Sequence, residues 1–154
     1  MRVEIKRLEA DDLEVMAGQM RPMDRYEFDV MSSGENHLQC LKHMLRRSRR
    51  ARAAYVDDRL VAVYGVLSPT LMSEGGNPWL AATDMIERAD VRREFIRHTR
   101  SELAWLADGF SSLWNIVSEK NAITIRWLKW VGFSFDGTDY DIRGHRFLKF
   151  QMGE

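Results

Sequence analysis

The chain has 154 residues, 45% hydrophobic and 30% charged, which fits one globular domain able to bury a core. Its 23 basic and 23 acidic side chains cancel, so no global field favours nucleic acid or a membrane surface. The single Cys40 excludes an internal disulfide and points to a reducing compartment. No apolar run approaches the roughly 18–20 residues of a membrane span, and Met1-Arg2-Val3-Glu4 carries no apolar signal region. Five Trp in a chain this short serve either aromatic packing or an interface.

In chain order, Val3 to Leu8 alternates and reads as an edge strand. Ala10-Asp11-Asp12 opens a helix with Leu13, Met16, Ala17 and Met20 at helical spacing, which Pro22 interrupts. A second helical piece covers Asp24 to Met31, stopped by Ser32-Ser33-Gly34, and a third covers Glu35 to Arg47. Ala53–Val56 and Leu60–Leu67, joined at Asp57-Asp58-Arg59, form a hairpin. Ser68 to Pro78 reads as a loop and Trp79 to Ile86 as a central strand. Asp90 is placed to cap a long helix running to Ala107, ended by Asp108-Gly109. Strands on both sides of that helix imply a right-handed β-α-β crossover. A closing hairpin, Phe133–Tyr140 and His145–Gln151, completes one domain without repeats or linkers.

The most specific stretch is Asn121 to Phe133, N-A-I-T-I-R-W-L-K-W-V-G-F, which follows the apolar run Leu113-Trp114-Asn115-Ile116-Val117. A strand, an Asn, a ten-residue helix and then Gly-Phe place the Asn at the helix start and the Gly where the chain must adopt positive φ. The stretch resembles the N-x-x-A-I-R-x-Y-x-x-x-G-F pattern of the GCN5-related N-acetyltransferases (GNAT), with Asn121, Ile125, Arg126, Gly132 and Phe133 in register. The resemblance implies an α/β fold with a central mixed β-sheet flanked by helices. Gly65 falls where that family often has a glycine in its third strand. Arg21 to Phe28 (R-P-M-D-R-Y-E-F), Gly76 to Leu80 (G-N-P-W-L), Leu113 to Val117 and Ile125 to Phe133 also look like a group of short-tailed bacteriophage proteins, GNAT-like acetyltransferases or internal virion proteins. That likeness implies a host bacterial cytoplasm or a virion as the setting.

The GNAT resemblance implies acetyl-CoA between the fourth and fifth strands, with its pyrophosphate at the start of the long helix, where free N–H groups attract anions. The cofactor-binding candidates are Thr83, Met85, Arg88, Arg92, Arg93, Asn115, Asn121 and Arg126. The family's glycine-bearing phosphate loop is replaced here by Ile86-Glu87-Arg88-Ala89-Asp90-Val91-Arg92-Arg93, where three guanidinium groups could hold phosphate oxygens. The same residues also read as an ordinary solvated helix start. Leu128 occupies the position of the family's proton-donating Tyr and cannot donate; water or Thr124 is the substitute. Glu27 and Asp84 are the candidate general bases, since burial would raise either carboxylate toward the useful range. Both also read as salt-bridge partners. Asn121 is either a pantetheine contact or a helix cap, and Asn115 either a ligand contact or a solvent-facing strand residue.

Arg46 to Arg52 packs five Arg into seven residues, a run suited to nucleic acid or an acidic partner, or to cations at a helix C-terminus, and the zero net charge and lack of interleaved aromatics favour the last. The His residues have no metal-ligand spacing. The helix Ala122–Val131 is apolar nearly all round, from core packing or from an interface in a homodimer or with another protein. Three readings stay open: an acetyl-CoA-dependent N-acetyltransferase acting on a host or phage amine, an inactive scaffold in virion morphogenesis, and a module that binds a host protein.

Overall fold

The computed structural model describes residues 1–69 and 75–153. Strand β1 (Val3–Arg7) is followed by α1 (Ala10–Gln19), α2 (Pro22–Ser32) and α3 (His37–Arg47). Then come β2 (Ser48–Val56), β3 (Arg59–Leu67), β4 (Gly75–Ala82), a 3-10 turn (Asp84–Glu87) and α4 (Ala89–Ala107). The chain closes with β5 (Ser112–Ser118), α5 (Ala122–Val131), β6 (Asp139–Ile142) and β7 (His145–Gly153). The strands make one seven-stranded mixed sheet in the order β1-β2-β3-β4-β5-β7-β6, with β1 at one edge. No helix of the described residues is long and apolar enough to cross a membrane.

Alternation along the strands feeds two cores, one on each face of the sheet. Ala81 and Trp79 join Leu13, Met16, Leu41 and Val63 beneath α1 and α3. Ala82 and Leu80 face the opposite way, toward Val91 and Leu106 of α4 and Leu128 and Val131 of α5. Gly65 lets the Trp79 indole cross its strand: a Cβ there would stand 2.9 Å from Trp79 Nε1 and 2.8 Å from the Arg50 carbonyl. The indole N–H then donates to Ser48 Oγ at 2.8 Å.

Several elements depart from expectation, each for a local reason. The first helix stops at Gln19, ahead of Pro22, and Pro22 itself starts α2, two residues before the expected Asp24, because the first helical position needs no N–H donor. The expected loop from Ser68 to Pro78 partly lies outside the described residues, and Gly75 to Pro78 belong to β4. The central strand ends at Ala82, so Thr83, Asp84 and Met85 leave it; Thr83 keeps a single bridge to Met20. Asp90 is not the cap of α4. Arg88 holds that place, and the Asp90 carboxylate accepts from the Val91 N–H at 2.8 Å and from Arg88 at 2.9 Å. The closing hairpin is shorter on its first side, beginning at Asp139, and β7 inserts between β5 and β6. The arginine run divides: Arg46 and Arg47 end α3, while Arg49, Arg50 and Arg52 lie on β2.

Candidate active site

Parallel strands β4 and β5 pair only at Gly75–Ser112 and Gly76–Leu113, and then separate. The divergence leaves a fork in the middle of the sheet, and Pro78 marks it. A proline in an interior strand must sit where no N–H is needed, and here its missing donor faces the gap. Asn77 Nδ2 donates to the Trp114 carbonyl at 2.9 Å and Asn115 Nδ2 to the Pro78 carbonyl at 2.8 Å, closing the crotch of the fork with side chains. Asn115 is therefore half-buried inside the fork, its Oδ1 accepting from the Ile116 N–H at 2.8 Å.

Helix α2 crosses the open end. The Arg21 N–H donates to the Ala82 carbonyl at 2.8 Å, and the buried Asp24 carboxylate accepts from the Ala82 N–H at 2.9 Å and from Arg21 at 3.0 and 2.9 Å. One turn on, Glu27 Oε2 accepts from the Ser118 N–H of β5 at 2.8 Å, and Oε1 from Asn121 Nδ2 at 3.0 Å. Asn121 is buried and also caps α5, its Oδ1 accepting from the Thr124 N–H at 3.3 Å. Of the two alternatives for Asn121 the helix cap is the one present, and its amide nitrogen ties that cap to Glu27. Burial pushes the Glu27 carboxyl up to about 7; the nearby Asp24 charge adds to this, while the Ser118 and Asn121 hydrogen bonds and Arg21 oppose it.

Between these anchors one peptide group is left over. In an antiparallel pair, alternate residues turn both N–H and C=O to the same side. Thr83 N–H bonds Val61 of β3, whereas Ala82 and Pro78 turn to the fork. The register therefore turns the Leu80 N–H and C=O into the fork too, with no partner among the described residues. A cavity of about 1040 Å³ runs through this gap. Trp79 and Leu80, which point to opposite faces, both line it, so residues from both faces of the sheet bound it.

Of the residues singled out by sequence, Glu27, Arg92, Asn115, Asn121 and Arg126 line this cavity. Asp84 does not; it is exposed on the 3-10 turn, off the strand. Thr83 is buried with its hydroxyl donating to the Leu60 carbonyl at 2.9 Å, and Met85 is packed in the core. Arg88 is paired with Asp90, and Arg93 is exposed outside the cavity. Leu128, buried in the core, lines the cavity where a donor hydroxyl was expected from the resemblance, and Thr124 lines it one turn earlier. Sequence reading missed Asp24, Asn77, Ser118 and the Leu80 peptide; the Asn77-Pro78 pair inside a strand was the available signal.

The fold is that of the GNAT acetyltransferases. A GNAT-family acetyltransferase from Streptococcus pneumoniae superposes with a TM-score of 0.67 over 99% of this chain and 100% of that one, at 12% identity. The ribosomal-protein-S18-alanine N-acetyltransferase from Escherichia coli gives 0.69 over 99% and 94%, at 15% identity. An N-acetyltransferase from Staphylococcus aureus Mu50 gives 0.69 over 99% of both chains, at 9% identity. No family model and no curated protein matches the sequence.

Proposed function

We propose that the protein is an acyl-CoA-dependent N-acetyltransferase whose reaction takes place in the β4–β5 fork, with Glu27 as the general base. The observation that carries this is the unpartnered Leu80 peptide turned into the fork, in the cavity that Glu27 also lines. The pantetheine arm of acetyl-CoA ends in two amides, and Leu80 offers one donor and one acceptor to such a chain, as a strand edge does. Similar folds in proteins named as N-acetyltransferases support the reading.

The phosphate end fits differently. No glycine loop precedes α4, and Asp90 already occupies the Val91 N–H. Arg92 and Arg126 therefore supply the charge from side chains. At the reacting end, Glu27 takes the proton released by the amine as the C–N bond forms. The C–S bond breaks, and the thiolate is protonated by water or by Thr124, since Leu128 has no proton to give. A carboxyl held near 7 is matched to that transfer at neutral pH. The acceptor is a protein or small-molecule amine.

Leu128 favours a second reading, an inactive scaffold that retains the acyl-CoA fork, as in a bacteriophage morphogenesis protein. Titration calorimetry with acetyl-CoA and then CoA tests the first step: saturable heat from both is expected, and a flat trace at millimolar ligand rejects the enzyme. Release of free thiol with a panel of amines, lost in Glu27→Gln, separates enzyme from scaffold.

A further inference from the structure

We propose that the corner where β1 and β2 meet the end of α4 binds a compact diphosphate group, at a site separate from the acyl-CoA fork. A second cavity of about 520 Å³ lies there. Five of its eight described lining residues are cations, Lys6, Arg7, Arg49, Arg50 and Arg52, and none of the described ones is acidic. The whole chain has zero net charge, so this concentration is local.

The register makes it denser. Arg7 stands directly opposite Arg52 in the β1–β2 pair, which puts the two side chains on one face with Cβ atoms about 5 Å apart. Arg50, two residues along β2, shares that face. Like charges directly opposed are destabilising, so three neighbouring guanidinium groups require countercharge. The protein supplies part of it. Arg52 pairs with Glu102 at 2.9 Å and lies 3.7 Å from the Trp105 ring centre. Arg50 donates to the carbonyls of Trp105, Leu106 and Asp108 at 3.0, 2.9 and 2.6 Å, capping the C-terminus of α4. Carbonyl dipoles orient Arg50 but do not cancel its charge.

The outer cations have less. Arg7 is exposed and has no partner among the described residues. Arg49, in the bulge between Ser48 and Arg50, is held 4.3 Å over the Phe110 ring and donates to Ser68 Oγ at 3.4 Å, with no carboxylate in its described contacts. Two fixed and two available guanidinium forks within one cavity suit a ligand with several oxygens and more than one negative charge. A diphosphate meets both conditions; a single carboxylate neutralises only one cation.

Titration of the full chain with inorganic pyrophosphate at low salt tests this. Saturable binding that weakens with salt is expected, because the outer charges are exposed. Arg7→Gln and Arg49→Gln should each weaken it roughly tenfold, with the double variant showing none, while staying folded without ligand and still titrating with acetyl-CoA. Arg92→Gln should leave pyrophosphate binding unchanged. Uridine diphosphate in parallel identifies the source: equal affinity means the phosphates alone are read, and tighter binding adds the nucleoside. Absence of saturable binding, retention in the double variant, or loss in Arg92→Gln overturns the proposal.

Discussion

Asp24 and Glu27, one turn apart on α2, grip the two prongs of the fork: Asp24 holds the Ala82 N–H of β4 at 2.9 Å and Glu27 the Ser118 N–H of β5 at 2.8 Å. Spacing of three residues puts both carboxylates on one helix face. Their environments then separate them. Asp24 receives the Arg21 guanidinium in a two-pronged contact, while Glu27 has only neutral donors and is pushed up to about 7. Of two acids on one face, one is held in an ion pair with Arg21 and the other is free to exchange a proton near neutrality.

The Glu27 shift makes stability depend on pH. The native state holds this proton more tightly than the unfolded chain, whose value is near 4.5. Between about 4.5 and 7 the folded form thus binds more protons, and stability falls as pH rises through that window. The full span corresponds to roughly 3 kcal/mol at about 1.4 per pH unit. Glu27→Gln should flatten this slope in urea titrations at several pH values. An unchanged slope would show that Glu27 is not the shifted group.

Asp24→Asn should lower the midpoint of Glu27, because a neighbouring negative charge is removed and Arg21 is released to favour the Glu27 anion. The same change breaks a buried ion pair and costs about 3–5 kcal/mol. Following the Glu27 carboxyl by NMR or infrared titration checks the direction, and a midpoint moved upward rejects the coupling. In acetyl transfer, the pH at half-maximal kcat should move down with it.

Much of this was legible in the sequence. The Asn121-to-Phe133 pattern is local: a side-chain cap, an apolar helix and Gly132 at φ +118 are each set by near neighbours. The Phe133 N–H closes it by donating to the Leu128 carbonyl at 3.0 Å. Edge strand β1 and the long α4 were equally local. The fork was not, because separation of β4 from β5 depends on residues far apart in the chain. Asn115 and Pro78, 37 residues apart, decide it together. Glu27 reaches Asn121 over 94 residues, so only the fold could show that the helix cap and the candidate base are bonded. The apolar run to Ile86 puts Asp84 on a central strand, but the strand stops at Ala82, where α2 takes over its peptide groups.

Arg92 and Arg93 are adjacent in sequence but differ in position. Arg92 lines the fork cavity and Arg93 does not. In calorimetry, Arg92→Ala should weaken acetyl-CoA binding roughly tenfold, the value of a charged hydrogen bond, and more steeply at low salt. Arg93→Ala should leave the affinity within about twofold, as expected for a solvated surface charge. Equal losses from both would place the phosphates on the outer face of α4 instead.

Trp127 and Trp130 separate in the same way. Trp127 is half-buried against Phe95, with ring centres 5.4 Å apart, and its indole nitrogen is fully covered. Trp130 is 48% exposed, with the Arg100 guanidinium 4.7 Å from its ring centre. Trp127→Ala removes a packed ring between α5 and α4 and should cost roughly 3 kcal/mol. Trp130→Ala loses mainly an exposed cation–π contact, under about 1 kcal/mol. Thermal melts of the two variants measure the difference; a Trp130 loss as large as that of Trp127 rejects this assignment. Light scattering of Trp130→Ala then asks whether the exposed ring is covered by a second copy. An interface anchor there would lower the mass of the particle without lowering the melting temperature of the monomer, because the ring that holds the copies together contributes little to the fold of either one.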